Sequence, residues 1–144
     1  MKLRALVVDD SRVMRSMVMK SLSSTNLAEF EFTEAEDGAD ALTKFDTSKV
    51  DIAFVDWNMP NMTGIDFVKK VRSMGNTGHI PMVMVTSEKT MGKIKEALET
   101  AGANAFICKP FTPEELGQKL KKVIDGMGAD KKKSSGGFFS KLLG

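Results

Sequence analysis

Asp9 and Asp10, Asp56, Thr86 and Lys109 are the residues of this chain whose types and placement point to chemistry. They stand at the ends of short runs, at 3–8, 52–55, 82–85 and 105–108, that are apolar except for Arg4. Three carboxylates gathered in one place repel and desolvate one another, a cost that a cation relieves. An all-oxygen acidic cluster with open positions suits a hard divalent ion, and Mg²⁺ is the default where a phosphoryl oxygen is to join the coordination. A carboxylate oxygen of Asp56 is then placed to attack phosphorus in line, while the Thr86 hydroxyl and the Lys109 ammonium hold the remaining phosphoryl oxygens. The product of that step is an aspartyl phosphate. Singly, each residue has a plainer reading: Asp9 and Asp10 as turn and cap residues, Thr86 as a strand-end hydroxyl, Lys109 as a surface lysine before Pro110. Chance becomes the weaker explanation when all of them stand at strand ends.

The elements that must position these groups are legible from apolar spacing. Residues 52–55, bounded by Asp51 and Asp56, read as a strand buried on both faces, and 3–8, 82–85 and 105–108 read the same way. Residues 28–35 alternate, with Phe30 and Phe32 on one side and Glu29, Glu31 and Thr33 on the other, as in a half-exposed edge strand. Helices are predicted between the strands. Val13, Met14, Met17, Val18 and Leu22 mark the inner face of the first, with Asp10 or Ser11 as its cap. The second starts at Asp37-Gly38 and runs through Ala41, Leu42 and Phe45. Ile65, Phe67, Val68 and Val71 mark the third. Met91, Ile94, Leu98 and Ala101 mark the fourth, stopped at Gly102. Thr112 and Glu115 stand at capping-box spacing before a last helix through Leu116, Leu120, Val123, Ile124 and Met127. Strict alternation of strand and helix means an α/β fold, a doubly wound five-stranded parallel sheet in a single domain. Right-handed crossovers bring all the strands' C-terminal ends, and so all the reactive residues, to one edge.

Composition narrows the function classes. The chain has 144 residues, about one domain. Its net charge of +2 and pI of 8.6 come from the end of the chain. Residues 129–144 hold four lysines and one aspartate, so that of 21 basic and 19 acidic residues, 17 and 18 remain in 1–128, a charge of −1. The folded part therefore offers no basic field for nucleic acid. The single cysteine, Cys108, excludes an internal disulfide, fits a reducing compartment and is expected to be a small core residue. His79 has no second histidine or thiolate near it in the sequence to make a metal pair. No apolar run approaches membrane-spanning length, and a cytoplasmic protein is expected. Residues 1–127 are expected to form the domain, and 128–137, with three lysines and Ser-Ser-Gly-Gly, a flexible basic linker. In 138–144, Phe138, Phe139, Leu142 and Leu143 fall on one face of a short helix, suited to a partner's groove, to this domain or a neighbouring copy, or to an anionic membrane surface.

Leu6-Val7-Val8-Asp9-Asp10, Asp56 with Met59-Pro60 and Gly64 behind it, Thr86, and Lys109-Pro110, in this order, resemble the response-regulator receiver domain. The run from Asp56 through Trp57, Asn58, Met59 and Pro60 to Met62 is similar to CheY-type single-domain chemotaxis regulators, and the likeness covers about residues 2–127. The resemblance implies strand order 2-1-3-4-5, an order long assigned to CheY itself. It implies that Asp10, Asp56 and the Asn58 carbonyl bind Mg²⁺ directly, with Asp9 acting mostly through water. It implies that Asp56 accepts phosphate from a histidine kinase, and that the Lys109-Pro110 bond is cis. It implies a switch in which Thr86 moves toward the phosphoryl group and Phe106 swings inward. The changed surface, formed by the fourth helix, fifth strand and fifth helix, then binds a protein target. Asn58 and Glu88 occupy the positions that tune loss of the phosphoryl group. Two departures stand out: Phe106 replaces the tyrosine usual in chemotaxis proteins, and Thr90-Met91-Gly92-Lys93 lacks the paired lysines expected at the start of the fourth helix.

Two other functions compete. A Mg²⁺-dependent phosphatase similar to the haloacid dehalogenase class would use Asp56 as nucleophile, but that class wants an acid two residues later, where Asn58 stands. Flavin binding on the same fold needs a glycine- and hydroxyl-rich phosphate loop after the first strand, and Asp9-Asp10-Ser11-Arg12 is acidic there. The leading expectation is a signalling switch whose chemistry is limited to its own phosphorylation and dephosphorylation.

Overall fold

The computed structural model describes residues 1–88 and 90–134. In chain order it contains β1 Lys2–Val8, α1 Arg12–Ser24, β2 Glu29–Ala35, α2 Gly38–Lys44, β3 Ile52–Val55, α3 Gly64–Ser73, β4 Met82–Thr86, α4 Met91–Lys95, β5 Ala105–Cys108 and α5 Pro113–Ser134. The strands form one parallel sheet of order β2-β1-β3-β4-β5, as expected. No helix among the described residues is long and apolar enough to cross a membrane.

Alternation along the strands builds two cores, one on each face of the sheet. Leu6, Val8, Ala53, Val55, Met82 and Met84 point to the side covered by α2, α3 and the fourth helical segment, where Ala41, Phe67, Val68, Val71 and Ala97 meet them. Ala5, Val7, Ile52, Phe54, Val83 and Val85 point to the other side, under Val18 and Leu22 of α1 and Leu116 and Leu120 of α5. Phe54, Phe67, Leu22 and Leu116 are almost wholly buried, each contributing about 1.5–3 kcal/mol by leaving water. Side-chain caps start the helices where turns were expected. Ser11, Asp37, Thr63 and Thr90 accept N–H bonds at the starts of α1 to α4, and Thr112 Oγ1 accepts from the Glu115 N–H at 3.1 Å before α5.

Three features differ from the expectations. In α1, Val18 and Leu22 face the sheet while Val13 and Met17 are 73% and 49% exposed. The apolar stripe of this helix is wider than its contact with the sheet. The fourth helix passes after Lys95 into a π-helical stretch, Glu96–Ala101, closed by Gly102 at φ +94°. Its wider turn shifts the phase after Lys95, so Ala97 is buried with Ala101 and Leu98 is exposed, while ahead of it Met91 is exposed and Ile94 half-buried. Finally, α5 continues to Ser134, into the segment expected to be linker. Its run of Ala129 and three lysines is made of good helix formers. The remainder of that segment and the face formed by Phe138, Phe139, Leu142 and Leu143 lie outside the described residues.

Candidate functional site

Backbone hydrogen bonds carry the sheet one step past its last paired residues, and these bonds set the reactive groups in a row. The Asp9 N–H donates to the Ala35 carbonyl at 3.1 Å, the Asp56 N–H to the Val8 carbonyl at 2.9 Å, and the Lys109 N–H to the Thr86 carbonyl at 2.8 Å. Asp9, Asp56 and Thr86 are buried at this edge, whereas Asp10 is exposed at its rim. Behind Asp56 the chain turns so closely that a Cβ on Gly64 would lie 1.8 Å from the Asp56 carbonyl oxygen. Only glycine fits there. Its N–H in turn donates to the Trp57 carbonyl at 2.9 Å, fixing the loop that follows the acid.

The side chains converge as expected. Asp9, Asp10 and Asp56 each present a carboxylate oxygen within 4.8 Å of the others. Lys109 Nζ lies 3.0 Å from Asp9 Oδ2 and 3.7 Å from Asp56 Oδ2. Asp9 Oδ1 accepts the Ser11 N–H at 2.9 Å, and Asp56 Oδ1 accepts the Trp57 N–H at 2.8 Å. Burial pushes the Asp56 carboxyl above its ordinary pKa and the neighbouring Asp9 adds to that push, while Lys109, the Thr86 hydroxyl and the Trp57 N–H pull it back. Three carboxylates thus gather at this edge, and Lys109 pairs with two of them, Asp9 and Asp56. That leaves a local charge of −2, which one divalent cation balances.

The donor set fits a small hard cation. Three carboxylates with oxygens within 4.8 Å of one another are the all-oxygen kind of set that such an ion takes, and it ordinarily retains several waters. Asn58, the remaining expected ligand, follows Asp56 by two residues, and its side-chain amide donates to Glu88 Oε1 at 3.1 Å. The pair expected to tune loss of the phosphoryl group is therefore joined by a hydrogen bond. The Glu88 N–H also donates to Thr86 Oγ1 at 3.4 Å. Phe106 is 6% exposed and packs with the core beneath α3 and the π-helical stretch. The Lys109-Pro110 bond is cis, as expected.

Three participants went unread in the sequence. Arg15 Nη1 donates to the Asp9 carbonyl at 2.6 Å, and its Nε donates to Glu34 Oε1 at 2.9 Å, so it braces the strand end that carries the acids. Its one signal was a position one turn after the cap. Lys93 Nζ lies 4.7 Å from the centre of the Trp57 ring, tying α4 to the residue beside Asp56. Asn61 Nδ2 donates to Asp37 Oδ2 at 2.8 Å, joining the loop after β3 to the cap of α2. Cys108, expected in the core, is half-buried, with Sγ 3.8 Å from the Glu88 carbonyl.

Comparison with known proteins agrees with this arrangement. Residues 5–121 match the sequence profile of the response regulator receiver domain. The chain is 42% identical over 123 residues to the chemotaxis protein CheY1 of Helicobacter pylori, covering 85% of this chain and 97% of that one. It is 38% identical over 126 residues to the chemotaxis protein CheY of Pseudomonas aeruginosa, with the same coverage. Among solved structures, CheY4 of Vibrio cholerae superposes with a TM-score of 0.73 at 37% identity, over 85% of this chain and 99% of that one.

Proposed function

The chain belongs to the response regulator receiver domain family, with chemotaxis CheY proteins among its relatives, and from that premise we propose that it is a phosphorylation-driven signalling switch. The observation that carries this reading is the cluster of Asp9, Asp10 and Asp56, with the Lys109 ammonium on Asp9 and Asp56. Asp56 is the phosphoacceptor. One of its carboxylate oxygens attacks the phosphorus of a histidine kinase's phosphohistidine. The P–O bond forms as the P–N bond breaks, and the imidazole leaves with a proton. Asp9, Asp10, Asp56 and the Asn58 carbonyl would hold Mg²⁺, which when bound neutralises the acids and screens the incoming phosphoryl charge. Lys109 turns from its two carboxylates toward the phosphoryl oxygens, and the Thr86 hydroxyl donates to another.

Thr86 and Phe106 are the moving parts of the response. Phe106 is buried and Thr86 sits one strand away, so a shift of the hydroxyl toward the phosphoryl group changes the space beside the ring. Two packings that differ slightly in energy are then biased by the phosphoryl group. The face formed by α4, β5 and α5 delivers the message to a protein target in the cytoplasm. Chemistry is limited to self-phosphorylation and self-dephosphorylation, the latter paced by the hydrogen-bonded pair Asn58 and Glu88.

The test is phosphoryl incorporation from a small acyl phosphate, followed by Trp57 fluorescence and by intact mass. Incorporation is expected with Mg²⁺, to be absent in Asp56→Asn, and to drop out when the ion is chelated. Equal incorporation in the Asp56→Asn protein would move the nucleophile elsewhere. Sustained turnover of aryl phosphates would make the chain a phosphatase instead.

A further inference from the structure

Between the fourth helical segment and α5, over β5, runs a groove of about 530 Å³. Ile94, Leu98, Phe106, Cys108, Val123 and Met127 line it. Leu98 is 39% exposed toward it, and at Gly126 an added methyl would meet nothing within 4 Å, so the groove is open along α5. We propose that this groove is the docking site of the chain's own C-terminal segment, with Phe138, Phe139, Leu142 and Leu143 as the inserted face.

Reach and pattern favour this occupant. From Met127 to Ser134 helix α5 rises about 10 Å beyond the groove's end. The four links from Ser134 to Phe138 reach at most about 14 Å, more than that distance, and the two glycines among them accept the backbone angles of a reversal. Residues 138–143 as a helix then span about 9 Å, close to the ~12 Å of α5 between Lys119 and Met127. The apolar residues recur at i, i+1, i+4 and i+5, which is one helical face, and they match a groove lined mainly by apolar side chains. Lys119 and Lys122 also border the groove, and Lys141 projects from the opposite side of the segment, away from them. The short segment is a poor helix alone, but its tether spares it most of the entropy of association.

Docking of this kind makes the segment a competitor for any protein that uses the same face. The apparent affinity of that protein falls by the fraction of time the groove is free. This consequence rests on the proposed output role of the α4, β5 and α5 face, whereas the docking itself does not.

The only thiol of the chain, Cys108, lies in the groove and reports on its cover. The experiment compares the rate at which iodoacetamide alkylates Cys108 in the unphosphorylated full chain and in the full chain carrying Phe139→Ser with Leu142→Ser. If the segment is docked about 80% of the time, the double variant reacts about fivefold faster. A labelled peptide of residues 138–143 is expected to bind the double variant about fivefold more tightly than the unaltered chain. Equal alkylation rates, or a peptide that binds neither protein, overturns the proposal. Protection of Cys108 that rises with protein concentration overturns it too, since the occupant is then a second copy. Neither measurement involves phosphoryl transfer, so failure here and failure of the phosphoacceptor reading are told apart.

Discussion

Removing the charge of Asp56 is expected to make the metal-free protein more stable, although it removes an ion-pair partner of Lys109. At an effective dielectric of about 20, Lys109 at 3.7 Å attracts the Asp56 carboxylate by about 4.5 kcal/mol. Asp9 and Asp10, each no more than 4.8 Å away, repel it by at least about 3.5 kcal/mol apiece. The repulsion exceeds the attraction, and the desolvation of a carboxylate that is only 8% exposed adds to it. Asn at this position keeps the shape and leaves Lys109 with Asp9 at 3.0 Å. Asp56→Asn is therefore expected to gain about 1–2 kcal/mol at neutral pH. In urea denaturation without divalent ions that gain moves the midpoint upward by about 0.5–1 M. The pH dependence follows from the raised pKa of Asp56. Folding favours its protonated form, so its stabilising contribution is present at low pH and is lost as pH rises through the ordinary carboxylate range toward the folded-state value. The gap between the two proteins should be open at pH 7 and close on acidification. Mg²⁺ at a hundred times its dissociation constant should raise the unaltered protein by about 2.7 kcal/mol and the variant by less. A variant less stable than the original without metal, or one that Mg²⁺ stabilises equally, would refute the reasoning.

Two further substitutions probe how the site is held. Gly64→Ala forces a methyl against the Asp56 carbonyl oxygen, and a loss of about 3 kcal/mol or more is expected in urea melts, together with slower phosphoryl incorporation. Lys93→Met removes the cation from above Trp57, which should cost about 0.5–1 kcal/mol and alter the fluorescence of the only tryptophan, with incorporation at Asp56 retained.

The strand ends were readable because their signal is local. An apolar run followed by Asp9, Asp56, Thr86 or Lys109 is a property of consecutive residues, and parallel topology does the rest by bringing every such end to one edge. Helix faces were less readable where contact depends on how a helix sits on the sheet. Val13 and Met17 continue the apolar stripe of α1 past the part that touches anything, and the π-helical stretch after Lys95 rotates Leu98 out of the phase that regular spacing predicts. Groups that act across loops gave least. The approach of Lys93 to Trp57, of Arg15 to the Asp9 carbonyl and of Asn61 to Asp37 each joins residues from different elements, which no spacing rule connects.

Strand β2 ends the sheet, and its outer row of amides and carbonyls is an invitation to another chain. Its exposed positions, however, are Glu29, Glu31, Thr33 and Glu34, with Lys2 paired to Glu31 and Arg15 to Glu34. Two copies meeting border to border would set glutamates against glutamates over most of that length. The like charge keeps the chains apart in dilute buffer, and salt strong enough to shorten its reach to a few ångströms removes the barrier. High ionic strength is thus the condition under which this protein should first begin to self-associate through that margin.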